Sequence, residues 1–308
     1  MGIVSSRPTI TRKELEGVLD CLIHDELDRG TTVKNFEARL ADMYSLKFSL
    51  ALSSLTAAYH LAFRALEIAP GDEVIIPSFF SRAPLAALGL VGGRAVVVDC
   101  EEGSYCPSEA MIRERINDRT RAILFSQMFG FFSDSSFLKD IKIPVIEDIS
   151  HAIGFDPGEP PYDLAGSIVV ASFAPSMMIT TGNGGLVMTS NSRLYSVMKD
   201  LRNGDDRIIP GYEYTMTDFQ AAMGVSQLLR LAQFVKRRRE IARMYYDALK
   251  MTTHRTFYAY GEGFVYQSFP VIFDATEDRI DRYWKKAGIE LIRPVKTPLH
   301  ASLELKPM

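Results

Sequence analysis

Apolar residues recur at two different spacings along the first 190 positions. In some stretches, such as 56–66, they lie three or four residues apart, which predicts amphipathic helices. In others, such as 74–76, they form short unbroken runs, which predict strands buried on both faces. Helices are predicted at 56–66, 83–90 and 108–116, and strands at 72–77, 95–98, 121–125, 144–149, 168–173 and 186–188. This alternation predicts an α/β fold with a mostly parallel sheet between two layers of helices.

After Asn203 the two spacings no longer alternate. A helical pattern covers 217–249 almost without interruption, and it is followed by a strand at 266–273, a helix at 278–288 and a strand at 289–292. Gly288 suits the end of that helix, because glycine readily takes the left-handed backbone that ends helices. We therefore expect a large α/β domain over residues 1–240 and a smaller α+β domain over residues 241–308.

The composition excludes several classes of partner. The 308 residues carry a net charge of −3, with no long run of one sign and no apolar stretch long enough to cross a bilayer. We therefore expect neither nucleic acid nor a membrane as partner. Cys21, Cys100 and Cys106 have no pairing or metal-binding spacing, so we expect reduced thiols in a cytoplasmic protein. The histidines are scattered, and no metal site is expected.

The loops that follow the predicted strands are the candidate site, because ligands of open α/β sheets bind beyond the carboxyl ends of the strands. Ser54 and Thr56, in one such loop, suit either a plain helix cap or a phosphate contact. Asp148 suits either a satisfied carboxylate at a strand end or the partner of a cofactor. The sequence contains neither G-x-G-x-x-G nor G-x-x-x-x-G-K-[ST], which argues against nicotinamide and P-loop sites.

Six segments in register resemble one family, the DegT/StrS sugar aminotransferases, which are pyridoxal-phosphate-dependent enzymes of fold type I. The segments are SSLTAA at 53–58, PGDEVIIPSF at 70–79, IED at 146–148, SFAP at 172–175 with ITTGNGG at 179–185, QAAMG at 220–224 and PLH at 298–300. The resemblance implies a homodimer that builds each site across its interface, and a nucleotide sugar as ligand. Because family members usually continue well beyond the last segment, the smaller domain is expected to be truncated.

The resemblance also implies roles for individual residues. Asp148 would keep the pyridine nitrogen of pyridoxal phosphate protonated, which makes the ring an electron sink. Ser54, Thr56 and Ser172 would contact the phosphate at the start of a helix. His151 would lie over the ring.

The sequence departs from the family pattern at five of its slots. Met177 stands where the family has its lysine, and a thioether cannot form an imine or move a proton. Leu55 replaces the glycine of the phosphate loop, which would be costly if that turn needs a positive φ. Ser81 replaces the aromatic residue that stacks on the cofactor, and Asn183 replaces a glutamate. Glu213 replaces an asparagine that contacts phosphate across the dimer, and it would bring an anion near a dianion.

Three hypotheses follow from this pattern. The leading one is a catalytically degenerate member of the family, a binding or scaffold protein in nucleotide-sugar metabolism. Such a protein would hold pyridoxal phosphate non-covalently, if it binds the cofactor at all. The first alternative is an aminotransferase or dehydratase-like enzyme that acts on a nucleotide-linked keto-sugar with non-covalent pyridoxal or pyridoxamine phosphate and His151 as base. The second is a nucleotide-sugar binding protein without such a cofactor.

Overall fold

The computed structural model describes residues 2–132, 135–155, 164–204, 211–293, 295 and 297–303. Within these ranges seven strands form one sheet: β1 (Phe48–Leu52), β2 (Glu73–Pro77), β3 (Arg94–Val98), β4 (Thr120–Ser126), β5 (Val145–Asp148), β6 (Ile168–Ser172) and β7 (Gly185–Thr189). The helices there are α1 (Arg12–Ile23), α2 (Thr31–Met43), α3 (Leu55–Ala65), α4 (Ala83–Val91), α5 (Glu109–Arg115), α6 (Ser192–Asn203), α7 (Asp218–Leu228), α8 (Leu231–Leu249), α9 (Glu277–Ala287) and α10 (Leu299–Ser302).

The sheet is mostly parallel, as the sequence predicts. Its strand order is β1-β7-β6-β5-β4-β2-β3, and the strands from β6 to β3 all pair in parallel. Strand β7 is antiparallel to both of its neighbours. The apolar run of β7 gives no sign of this direction, because every residue of β7 is buried, and so is every residue of β6, which belongs to the parallel part of the sheet.

Alternate side chains of each strand face different layers of helices. Val74 and Ile76 of β2 pack with α3 and α4, whereas Ile75 packs with α5. Val169 and Ala171 of β6 pack with α2 and α7 on the second face of the sheet. Burial of apolar side chains on both faces is the main favourable contribution to folding, and it explains the unbroken Val and Ile runs.

The tail differs from its prediction in two ways. The expected helix over 217–249 is two helices, α7 and α8, separated at Leu229 and Arg230. The Nη1 atom of Arg230 donates to the buried Glu14 at 2.8 Å, so the break coincides with a contact to α1. The strands expected at 266–273 and 289–292 are wrong: among the described residues these segments form the isolated bridges Arg255–Ile272 and Ile3–Ile289.

The expected helix near 278–288 is confirmed as α9, and Gly288 follows it in the left-handed conformation (φ 69°). The expected domain boundary at 240 lies inside α8. The division into two domains stays a prediction.

Strand β1 is an edge strand of the sheet, and two charged side chains contact its outer side. The Ala51 N–H donates to Oε1 of Glu37 at 2.8 Å, and the Ala51 carbonyl accepts from Nη1 of Arg202 at 3.1 Å. Arg202 and Glu37 also form an ion pair with each other, and Arg202 is 1% exposed. This pair joins α2, α6 and β1.

Candidate functional site

Several strand ends of the predicted site meet at one end of the sheet. In the strand registers Ser126 of β4 lies beside Asp148 of β5, and Ser172 of β6 lies beside Gly185 of β7. Gly185 also lies beside Leu52, the last residue of β1. We call this region the carboxyl end of the sheet, because the parallel strands β4, β5 and β6 all end here. The loops after β1, β5 and β6 therefore open on the same side.

Helix α3 begins at this end of the sheet, directly after β1. Ser54 is its N-cap, and the Ser54 Oγ accepts the N–H of Ala57 at 3.1 Å. Leu55 and Thr56 are its first two residues, so Leu55 has a right-handed helical backbone and the strain of a positive φ does not arise. A Cβ on Gly185 would lie 2.1 Å from the Ser54 carbonyl oxygen, so glycine is required where β7 passes α3.

Asp148 is 1% exposed, and a donor from the protein contacts each of its two oxygens. Oδ1 accepts the Ser150 N–H at 2.7 Å, and Oδ2 accepts the hydroxyl of Tyr59 from α3. Burial raises the pKa of the Asp148 carboxyl above its usual range, although these hydrogen bonds oppose the rise. Burial, reinforced by the Asp148 charge, raises the pKa of Tyr59, so the phenol stays protonated and donates.

His151 is held by the loop after β4. Its Nδ1 accepts the backbone N–H of Phe129 at 3.1 Å, and the two rings stack with centroids 5.8 Å apart. Burial lowers the pKa of His151 to about 4, so the ring is neutral at neutral pH. Because Nδ1 accepts a hydrogen bond, the proton of the neutral ring lies on Nε2. The histidine is therefore arranged as a donor, which does not suit the role of a base.

The loop after β6 carries the two methionines. Met177 is half-buried, and its N–H donates to the Ala174 carbonyl at 3.0 Å. Met178 is buried in the core between the sheet and α2. The Oγ of Ser172, 4% exposed at the end of β6, accepts the N–H of Ala174 at 3.3 Å. The loop thus places a thioether, without an amine, in the slot where the resemblance implies a lysine.

The other three substituted slots lie on the surface. Ser81, Asn183 and Glu213 are all exposed. The Asn183 carbonyl accepts Nε2 of Gln220 at 3.2 Å, so its backbone is held while its side chain faces solvent. Glu213 has a φ of 50° and follows Tyr212, whose ring stacks on Tyr214. Within one chain the Glu213 carboxylate is therefore solvated.

Aromatic side chains cover the loop after β4. We call them the aromatic cluster, and its members are Tyr105, Phe129, Phe131, Tyr258 and Phe264. The Val265 N–H donates to the Gly130 carbonyl at 3.1 Å, which fixes the tail of the chain to this loop. The late PLH segment is fixed in the same way, because Nδ1 of His300 lies 2.6 Å from Oγ of Ser78. Distant motifs therefore meet around one site.

Two residues of this site were not predicted from the sequence. Tyr59 binds Asp148, and Phe129 binds His151 while holding a left-handed backbone (φ 62°). The only signal for Tyr59 is its place on the buried face of a predicted helix, since a buried phenol needs a hydrogen-bond partner. Phe129 gives no such signal, because nothing in the residue type indicates a positive φ.

The side chains, as placed, do not fit covalently held pyridoxal phosphate. An imine needs an amine, and Met177 has none. The pyridine nitrogen needs an accessible carboxylate oxygen, and Asp148 is buried with the Tyr59 hydroxyl on Oδ2. The start of α3, with Ser54 and Thr56, is the part that suits a phosphate.

The described parts of the chain also lack two other kinds of site. No helix in them is both long and apolar enough to cross a lipid bilayer. No group of three or more His, Cys, Asp or Glu side chains in the same ranges could hold a metal ion.

Comparison with known proteins shows the family. The model of the DegT/DnrJ/EryC1/StrS aminotransferase family matches residues 8–302. GDP-perosamine synthase from Escherichia coli O157:H7 is 31% identical over 251 residues, which are 78% of this chain and 69% of the relative.

Solved structures show the same fold. The aminotransferase TlmJ from Streptoalloteichus hindustanus has a TM-score of 0.89 at 27% identity, covering 97% of this chain and 86% of its own. E. coli GDP-4-keto-6-deoxy-D-mannose-3-dehydratase, with bound hydrated pyridoxal phosphate, has a TM-score of 0.89 at 21% identity. The match covers 99% of this chain and 88% of the dehydratase chain. These likenesses agree with the expected fold type I. Since the family model spans nearly the whole chain, this protein belongs to the DegT/DnrJ/EryC1/StrS aminotransferase family.

Proposed function

We propose that this chain is a catalytically degenerate member of its family, which binds a nucleotide sugar or acts as a scaffold in nucleotide-sugar metabolism. The observation that carries the proposal is Met177, which stands where the resemblance implies the lysine. That lysine would form the imine with the cofactor and then move the proton at the substrate carbon. A thioether does neither, so any pyridoxal phosphate is held without a covalent bond.

His151 is a poor replacement for the missing base. Its pKa of about 4 gives it little basicity at neutral pH. Its Nδ1 lone pair is already engaged by the Phe129 N–H. These two observations favour the degenerate protein over an enzyme that uses His151 with a non-covalent cofactor.

The proposed ligand class is a nucleotide-linked sugar. The support is the likeness to GDP-perosamine synthase, which is named for a nucleotide sugar. The start of α3, with the Ser54 cap and Thr56, is suited to an anionic group of such a ligand.

We further propose a homodimer in the cytoplasm. Leu15, Leu19 and Leu22 lie on α1 with at least half of their surface exposed, which supports contact with a second copy. Cys21 and Cys106 are buried, and neither forms a disulfide within the described residues, which suits a reducing compartment. Light scattering that gives the mass of a single chain would contradict the dimer.

A trapping experiment tests the loss of covalent chemistry. The purified protein is incubated with pyridoxal phosphate, reduced with borohydride and mapped by mass spectrometry. We expect scattered labelling of surface lysines and no stoichiometric adduct at a single site, because Met177 offers no amine. A stoichiometric, saturable adduct on one lysine would overturn the proposal.

A turnover assay distinguishes the degenerate protein from the alternative enzyme that uses His151 as base. A nucleotide-linked keto-sugar is supplied with an amino donor and pyridoxamine phosphate, and we expect no product from either the wild-type protein or His151→Asn. Product that forms with the wild-type protein and disappears in His151→Asn would favour the alternative enzyme.

A further inference from the structure

We infer that Tyr59 occupies the place on Asp148 that the ring nitrogen of a pyridine cofactor requires, so that a side chain weakens the binding of such cofactors, in addition to the lack of an amine that would hold pyridoxal phosphate covalently. The inference deepens the proposed function and rests on it for the identity of the site. It concerns the hydrogen bond from the Tyr59 hydroxyl to Oδ2 of Asp148, across 89 residues of sequence.

The position of Tyr59 is fixed by α3. The helix is capped by Ser54, and its start lies against Gly185 so closely that a Cβ there would clash. The Tyr59 ring is fully buried and stacks on Phe63, with ring centroids 6.0 Å apart. A phenol held in this way cannot swing aside without moving core side chains.

The carboxylate has little space left for another partner, although each of its oxygens keeps a second lone pair. Oδ1 accepts the Ser150 N–H at 2.7 Å, Oδ2 accepts Tyr59, and Asp148 is 1% exposed. A pyridine N–H needs a linear approach to one carboxylate oxygen. It would have to displace the Tyr59 hydroxyl, which would then be buried without a partner.

Tyr59 should lower the affinity for a pyridine ring, because the ring nitrogen would replace the Tyr59 hydroxyl as the donor to Asp148. Binding of a pyridine nitrogen would break one hydrogen bond to a charged acceptor in order to make another, so the protein gains little from the ring nitrogen. Once Tyr59 is removed, the same nitrogen satisfies a carboxylate that has lost a donor. The gain from a charge-assisted hydrogen bond corresponds to about tenfold to a hundredfold in Kd.

The test uses two ligands that differ only in the ring nitrogen. Pyridoxamine 5′-phosphate carries the nitrogen, and its 1-deaza analogue has a carbon in its place. Calorimetry measures the Kd of both for the wild-type protein, Tyr59→Leu and Tyr59→Phe. Tyr44→Leu is the matched control, since Tyr44 is equally buried but its hydroxyl contacts the Gly154 N–H in another part of the core.

We expect the wild-type protein and Tyr44→Leu to bind the two ligands equally weakly. Tyr59→Leu is expected to bind pyridoxamine 5′-phosphate about tenfold or more tightly than the wild-type protein does, while the deaza analogue gains much less. If Tyr59→Leu does not fold, as judged by circular dichroism, Tyr59→Phe tests the hydroxyl alone.

Two results would overturn the inference. One is a wild-type protein that already prefers pyridoxamine 5′-phosphate to the deaza analogue by about tenfold. The other is a folded Tyr59 variant whose preference between the two ligands equals that of the wild-type protein. Because neither ligand can form an imine with a lysine, these results are independent of the trapping experiment that tests the proposed function.

Discussion

Burial acts on two titratable side chains at the carboxyl end of the sheet and favours the neutral form of both. It raises the pKa of the Asp148 carboxyl and lowers the pKa of the His151 ring. Each side chain also has its hydrogen-bond partner within the chain, Tyr59 for the aspartate and Phe129 for the histidine. Oδ2 of Asp148 and Nδ1 of His151 are therefore engaged by the protein itself.

The histidine makes the stability of the protein depend on pH. The pKa of His151 falls from about 6.5 in the unfolded chain to about 4 in the folded chain, so the unfolded state binds more protons between these values. The contribution is fully present above pH 6.5 and is lost as the pH falls towards 4. Relative to His151→Asn, the wild-type protein should lose on the order of 2 kcal/mol of unfolding free energy between pH 7 and pH 4.5.

Urea denaturation of both proteins at several pH values measures this difference. Asparagine keeps an acceptor for the Phe129 N–H but does not titrate, so effects of other groups cancel in the comparison. A difference between the two proteins that stays constant from pH 7 to pH 4.5 would contradict the prediction.

For single residues, the sequence predicts the place of a residue in a strand or helix but not the side chain to which it hydrogen-bonds. The place of Asp148 at a strand end follows from the apolar run before it, and the Ser54 cap follows from the helix after it. The contact between Tyr59 and Asp148 could not be predicted, because it depends on how α3 lies across the sheet. The resemblance supplies the lysine slot, which no local pattern would single out at Met177.

At the scale of elements, the close passage of β7 by α3 fixes the geometry of the site. The Gly185 backbone touches the Ser54 carbonyl, which holds the cap of α3 beside the end of β6. The position of Tyr59 over Asp148 depends on this contact.

Two glycine substitutions test this passage. Gly185→Ala places a Cβ 2.1 Å from a backbone oxygen and should cost about 3 kcal/mol or more, since neither backbone can yield easily. Gly89→Ala in α4 is the matched control, because nothing lies within 4 Å of its Cβ, and it should stabilise the protein by about 0.5 to 1 kcal/mol. Thermal unfolding measures both. Equal melting temperatures for the two variants would disprove the tight contact.

The elements that the sequence predicts well are those fixed by local pattern. Runs of Val and Ile predict β2 to β6, and Gly288 predicts the end of α9. The break between α7 and α8 has no Gly or Pro, and it coincides with the contact from Arg230 to Glu14. The residues after Val265 resemble a strand in sequence, but Tyr266 packs on Phe131 of the loop after β4, and the Ser268 N–H donates to the Phe129 carbonyl of the same loop.

At the scale of the whole molecule, one buried ion pair joins the helices of both faces around the edge of the sheet. Arg202 of α6 and Glu37 of α2 bind each other and the backbone of Ala51. Removal of Arg202 leaves the Glu37 carboxylate, whose side chain is 13% exposed, without its counter-charge.

Arg202→Ala is therefore expected to cost about 3 to 5 kcal/mol of unfolding free energy. Arg193→Ala on the same helix is the control, because its pair with Glu67 is exposed on both sides and contributes at most about 1 kcal/mol. Chemical denaturation compares the two. If both variants lose the same small amount, the pair around Ala51 does not stabilise the fold.

The charged cover over β1 has a consequence for how copies of the chain meet. A bare outer strand can recruit the backbone of a second molecule and start a growing fibril. Here the Ala51 N–H and carbonyl are occupied by Glu37 and Arg202, so a foreign strand finds no open partner at that point. Backbone pairing between copies along this edge is therefore blocked at Ala51, and contacts made there would involve side chains.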